Sequence, residues 1–156
     1  MEIIEMAFYL LVSGLLAAAA FIDIKTQKIP NPLNLGLLAC GVLSFFIMQQ
    51  VPILSHFIGL VCVSVPMLVI NLVFPGAFGM GDVKLMGACG LILGWEGILI
   101  AAAIGIIIGG IQGVYYLIIR KKSRKEHFAF GPALCIGITL ALFAGQPLIE
   151  AYLGFL

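Results

Sequence analysis

Two aspartates stand out because each lies at the end of a long apolar run and not in an obvious loop: Asp23 follows Ile3–Ile22, and Asp82 precedes Val83–Leu93. An ionised aspartate at the centre of a membrane helix costs on the order of 2.5–3.5 kcal/mol, and less near the interface, so keeping one there needs a reason. Two carboxylates supply one. In peptide hydrolysis one takes a proton from water while the other gives a proton to the scissile carbonyl, and a close pair holds a single shared proton because both do not readily ionise side by side. Asp82 opens its apolar segment, where a helix N-terminus favours the charged form, whereas Asp23 closes its own, where a C-terminus disfavours it. On that asymmetry Asp82 begins as the base and Asp23 as the acid. Asp82 also follows Gly79-Met80-Gly81. Glycines there permit close backbone approaches that a side chain would block, so an extended peptide can come near the carboxylate. Lys84, two residues on, reads as a headgroup anchor or as a cation beside Asp82.

The elements that must position these residues are membrane helices. The 156 residues are 63% hydrophobic and 10% charged, with mean hydropathy +1.23. A soluble domain is about one quarter charged, so that class is excluded. The length allows one domain over residues 1–156, most of it used by spans of roughly 20 residues. Cys40, Cys62, Cys89 and Cys135 lie within apolar runs and form no C-x-x-C pair, so they read as small core residues and neither a metal nor another cofactor is expected.

The pattern predicts an all-α, polytopic bundle of six spans. The first covers Ile3–Ile22. Ala17–Ala20 imitates a signal-peptidase site, but Glu2 and Glu5 stand where a secretory signal is basic, so the span is expected to be retained. Lys25, Lys28 and Ile29-Pro30-Asn31-Pro32 form a polar turn, and Leu33–Met48 is the second span. Ile53–Phe74 is the third, kinked by Pro66. Val83–Leu93 is a short fourth, ending near Gly94-Trp95-Glu96-Gly97. Ile98–Ile119 is the fifth, with Gly105, Gly109 and Gly113 on one packing face, and the sixth starts near Phe128 with Gly137, Ala141 and Gly145 as a second such face. If the spans alternate, Lys25, Lys28, Lys84 and the run Arg120–Lys125 share one side, with Glu2, Glu5, Glu96 and Glu150 opposite. The positive-inside rule then puts both termini outside and both aspartates at the cytoplasmic boundary of the inner membrane. The basic run is expected to meet anionic lipid and not nucleic acid. His56, on the outer side, and His127, in the basic loop, are expected to be solvated.

Three motifs carry a family resemblance. Phe78-Gly79-Met80-Gly81-Asp82-Val83-Lys84 resembles the G-x-G-D motif of the type IV prepilin peptidases. Asp23 followed by Ile29-Pro30-Asn31 is similar to that family's first catalytic segment, and Phe130-Gly131-Pro132 to its late Phe-Gly-Pro motif at the entry to the last span. In order and position they cover nearly the whole chain. The resemblance implies that Asp23 and Asp82 are the catalytic pair and that the enzyme removes a short basic leader from prepilins or pseudopilins at the cytoplasmic face. It further implies that Gly79, Gly81, Lys84, Phe130, Gly131 and Pro132 shape the substrate groove. Larger, bifunctional members have a cytoplasmic insertion with paired C-x-x-C motifs and N-methyltransferase activity. Here only a few residues join the first two spans, which fits the short peptidase-only Tad/Flp type.

The rival readings are a small transporter, with the aspartates binding a cation or relaying protons, and a pilus or secretion scaffold without chemistry. A transporter site usually lies near the bilayer midplane, and no acid sits mid-span. Asp82 as a helix cap and Asp23 as a loop acid balancing Lys25 and Lys28 are the structural alternatives.

Overall fold

The computed structural model describes residues 3–118 and 130–153, and the regular structure in them is α-helical. The helices are α1 (Ile3–Thr26), α2 (Asn31–Ile47), α3 (Ile53–Cys62), α4 (Ser64–Val73), α5 (Met80–Ile118) and α6 (Gly131–Leu153). Three stretches are long and apolar enough to cross a bilayer: Ile3–Thr26, Ile53–Val73 through α3 and α4, and Met80–Tyr115. Asn31–Ile47 and Gly131–Gly145 are shorter apolar helices. The basic run Arg120–Lys125 and His127 lie outside the described residues.

The surface is apolar and the buried polar groups gather inside. Leu72 is 75% and Phe46 73% exposed, whereas Asp23, Asn34, Ser44, Ser55, His56 and Asp82 are buried. Lipid is as apolar as leucine, so helices in it associate through close packing and hydrogen bonds, and small residues mark the contacts. Gly59 of α3 lies against the backbone of Gly90 in α5, and Gly137 of α6 against Ala101. On the face of α5 expected from its four-residue glycine spacing, a Cβ on Gly105 would come 2.9 Å from Leu134, and Gly109 is covered by the ring of Phe130. Gly145 is buried, yet among the described residues a Cβ there would meet nothing within 4 Å.

Several boundaries differ from the sequence pattern, each for a local reason. α1 runs past Ile22 to Thr26, which carries Asp23 into its last turn, and stops where Gln27 takes a left-handed conformation (φ 54°). α2 begins at Asn31, so Asn31 and Pro32 belong to a helix and not to the turn. The first N–H groups of a helix have no partner within it, and a proline there loses no hydrogen bond. The break in the third apolar segment falls at Val63, one turn before Pro66. Proline cannot donate to the carbonyl four residues back, that of Cys62, and its ring crowds that carbonyl.

The largest interruption is inside α5, at Gly94 (φ 72°, ψ 178°), a backbone geometry open essentially to glycine. The helix bond from Trp95 N–H to Leu91 C=O is replaced by side chains. Trp95 N–H donates to Ser55 Oγ at 3.3 Å, and the Leu91 carbonyl accepts from Ser44 Oγ at 3.2 Å and from His56 Nδ1 at 2.7 Å. His56 is therefore not solvated, as its position near a span end suggested. It is fully buried, edge-on to Phe45, with Nδ1 protonated because a carbonyl can only accept.

Candidate active site

The C-terminal end of α1 and the N-terminal ends of α2, α5 and α6 meet at one end of the bundle, and both aspartates lie there. Asp23 and Asp82 are 5% and 7% exposed and line one cavity of about 460 Å³, together with Gly79, Gly81, Lys28, Asn31 and Lys84. Three helix N-termini surround two carboxylates, and the partial positive charge at such ends offsets the negative charge placed there.

Each carboxylate meets a glycine amide. The Gly131 N–H donates to Asp23 Oδ2 at 3.1 Å, across 108 residues of sequence. The fit is tight, since a Cβ on Gly131 would stand 2.6 Å from the same oxygen. The Asp82 carboxylate turns back to the backbone amide of Gly79, the residue before α5, as the third residue of a capping box does. Asp82 does cap its helix, and it does so inside the shared cavity. The acid and base assignment above used only the helix on which each aspartate sits. With the α6 N-terminus donating to Asp23, both carboxylates face a helix N-terminus, while Asp23 keeps its place in the last turn of α1, so the asymmetry is reduced. Nor is Asp23 a loop acid balancing Lys25 and Lys28: it lies in the last turn of α1, and Lys25 Nζ sits 4.2 Å from the ring centre of Phe21, while Lys28 lines the shared cavity.

The two glycines are placed by matching supports. Phe78 and Phe130, each just before its glycine, pack on one another with ring centres 6.0 Å apart. Asn71 clamps Phe78, donating to its carbonyl at 2.8 Å and accepting its N–H at 2.9 Å. Ile29 wedges between Gly81 and Gly131, and a Cβ on these would come 3.0 and 3.2 Å from its side chain. Of the six residues the resemblance implies for substrate contact, Gly79, Gly81 and Lys84 line the cavity and Gly131 touches Asp23. Phe130 packs on Phe78, and Pro132, in the first turn of α6, is not among the residues lining the cavity. Among the described residues no three His, Cys, Asp or Glu side chains come together as metal ligands.

Residues 10–114 match the family model described as the type IV leader peptidase family. The chain belongs to that family. A prepilin leader peptidase/N-methyltransferase of Legionella pneumophila is 36% identical over 163 residues, covering 97% of this chain and 55% of that protein. Proteins of the same description from Aeromonas salmonicida (strain A449) and Bacillus subtilis (strain 168) are 32% and 28% identical, over 92% and 90% of this chain. The chain spans about half the length of these relatives, 51% to 56%. No solved structure matches it.

Within this family member, sequence reasoning missed Asn34. It is buried in α2, and its Nδ2 donates to the Gly81 carbonyl at 3.2 Å, tying α2 to the glycine beside Asp82. Among the described residues its buried Oδ1 has no partner. Nothing in the local sequence distinguishes Asn34 from Asn31, whose Oδ1 accepts from Lys84 Nζ at 2.9 Å.

Proposed function

We propose that this chain is an aspartyl endopeptidase that removes the leader of prepilin- or pseudopilin-type substrates, with Asp23 and Asp82 as the catalytic pair. The observation that carries this reading is the common cavity: two buried carboxylates from distant parts of the sequence line one space, each beside a glycine amide. With one proton shared between them, the ionised carboxylate takes a proton from water as its oxygen attacks the scissile carbonyl carbon, and the protonated partner gives its proton to the carbonyl oxygen. The gem-diol collapses as the protonated carboxyl gives its proton to the leaving amine and the ionised carboxylate takes one from a gem-diol hydroxyl; the C–N bond breaks, and the pair again holds one proton. Gly79 and Gly81 leave room for an extended substrate backbone beside Asp82. Six spans with both termini outside, the break at Gly94 dividing the fourth from the fifth, would put Lys25, Lys28, Lys84 and this cavity at the cytoplasmic face. Only Gln27–Pro30 join α1 to α2, so no C-x-x-C insertion lies between these two helices.

Co-expression with a prepilin tests the reading. The wild-type chain should shorten the substrate by its leader, as read by mass spectrometry. A substrate left at full length by well-expressed, membrane-inserted protein would refute it.

A further inference from the structure

A second, larger cavity adjoins the first. It is a groove of about 680 Å³ between α2, the α3–α4 break and the first half of α5, walled by Leu35, Leu38, Leu60, Val61, Val83 and Gly87. Leu35, Leu38 and Val61 are exposed, so the groove opens on the apolar outer surface of the bundle. Its polar lining is concentrated at one end, in Asn31, Asn34 and Lys84; the remaining hydroxyl, of Ser64, is already bonded to the Leu60 carbonyl. That end is the aspartate end. Asn31 and Lys84 line both cavities and are hydrogen-bonded to each other on the border, and Asn34 reaches from the groove wall to the Gly81 carbonyl.

We propose that this groove docks the membrane-embedded apolar helix of the peptide substrate and so delivers the bond beside it to the Asp23–Asp82 cavity. The inference rests on the peptidase reading above and adds the surface that holds the substrate. A helix with apolar side chains and internally satisfied backbone can enter from the lipid without exposing an unpaired group. Where it unwinds to be cut, its freed N–H and C=O groups need polar partners. The groove has that polarity: apart from the already bonded Ser64 hydroxyl it is apolar along its length and polar where it meets the cavity, where among the described residues the Asn34 amide oxygen has no partner. A lipid chain would use the apolar walls and leave the polar end and its junction with the aspartates without a role. Gly87 gives the floor its depth. A Cβ there would stand at ordinary contact distance, 3.5 Å from Leu60 and Ser64, whereas a longer side chain would fill the groove.

The test places a photoreactive phenylalanine analogue at Leu38 in the groove, or at exposed Phe143 on α6 as control, in an Asp82→Asn background co-expressed with the prepilin. The expected result is a substrate adduct at position 38 and none at 143. In the active enzyme, Gly87→Leu should raise KM for the full-length prepilin at least tenfold and leave kcat within twofold. An adduct to phospholipid alone at position 38, equal substrate adducts at both positions, or an unchanged KM in a folded Gly87→Leu enzyme would overturn the groove assignment. If Gly87→Leu does not fold, the cross-link decides. Failure of the wild type to shorten the prepilin counts against the peptidase reading itself, whereas an active wild type without the adduct counts against the groove alone.

Discussion

Gly131→Ala should damage the proposed cleavage more than Gly79→Ala, although Gly79 belongs to the motif that contains an aspartate. A methyl group at position 131 would lie 2.6 Å from Asp23 Oδ2 and 3.0 Å from its Cγ. Ordinary C···O contacts begin near 3.4 Å, so the carboxylate must retreat by about 0.8 Å. That movement loosens the 3.1 Å bond from the Gly131 N–H, and a hydrogen bond to a charged group is worth about 1.5–3 kcal/mol. A misplacement near 1 Å at a reacting group costs about 10²-fold. At Gly79 the corresponding contact is 3.1 Å from Asp82 Oδ2, a retreat of only about 0.3 Å. Single-turnover cleavage of a prepilin by purified protein in detergent should therefore fall about 100-fold in Gly131→Ala and less than 10-fold in Gly79→Ala. Gly110→Ala, where a methyl group meets nothing within 4 Å among the described residues, should match wild type. Wild-type cleavage by a folded Gly131→Ala variant, or a larger loss in Gly79→Ala, would refute the packing argument.

The break in α5 gives two further predictions. His56→Ala removes a fully buried ring and its bond to the Leu91 carbonyl, and should lower stability by about 2–3 kcal/mol in denaturant titration, while the protein that remains folded keeps wild-type kcat. Gly94→Ala forces a side chain into a glycine-only conformation with its Cβ 2.5 Å from Ser55 Oγ. It should cost about 1–3 kcal/mol, visible as reduced yield of folded protein in detergent, and wild-type yield would contradict the account of the break.

Much of the helical layout was legible because apolar runs and glycine or proline breaks are local signals. Leu33–Met48 appears as Asn31–Ile47, and the Gly94-Trp95-Glu96-Gly97 break appears as the kink at Gly94. The candidate aspartates were legible from their cost next to apolar runs, and the structure brings them to one cavity. What stayed hidden depends on which helices pack together. His56 looked like a solvated histidine because its acceptor lies 35 residues away on another helix. The donor to Asp23 is 108 residues away, so a rule applied only to the helix carrying each acid left out the second helix end that Asp23 faces. Asn34 and Asn71 are ordinary polar residues in apolar helices until Gly81 and Phe78 are set beside them.

The central claim is that Asp23 and Asp82 act together on one peptide bond. Its most direct test is leader release from a prepilin by purified wild type, Asp23→Asn and Asp82→Asn, each shown to be folded by thermal unfolding in detergent. Both variants should release no leader over a time in which wild type completes the reaction, and either one retaining cleavage would contradict the account.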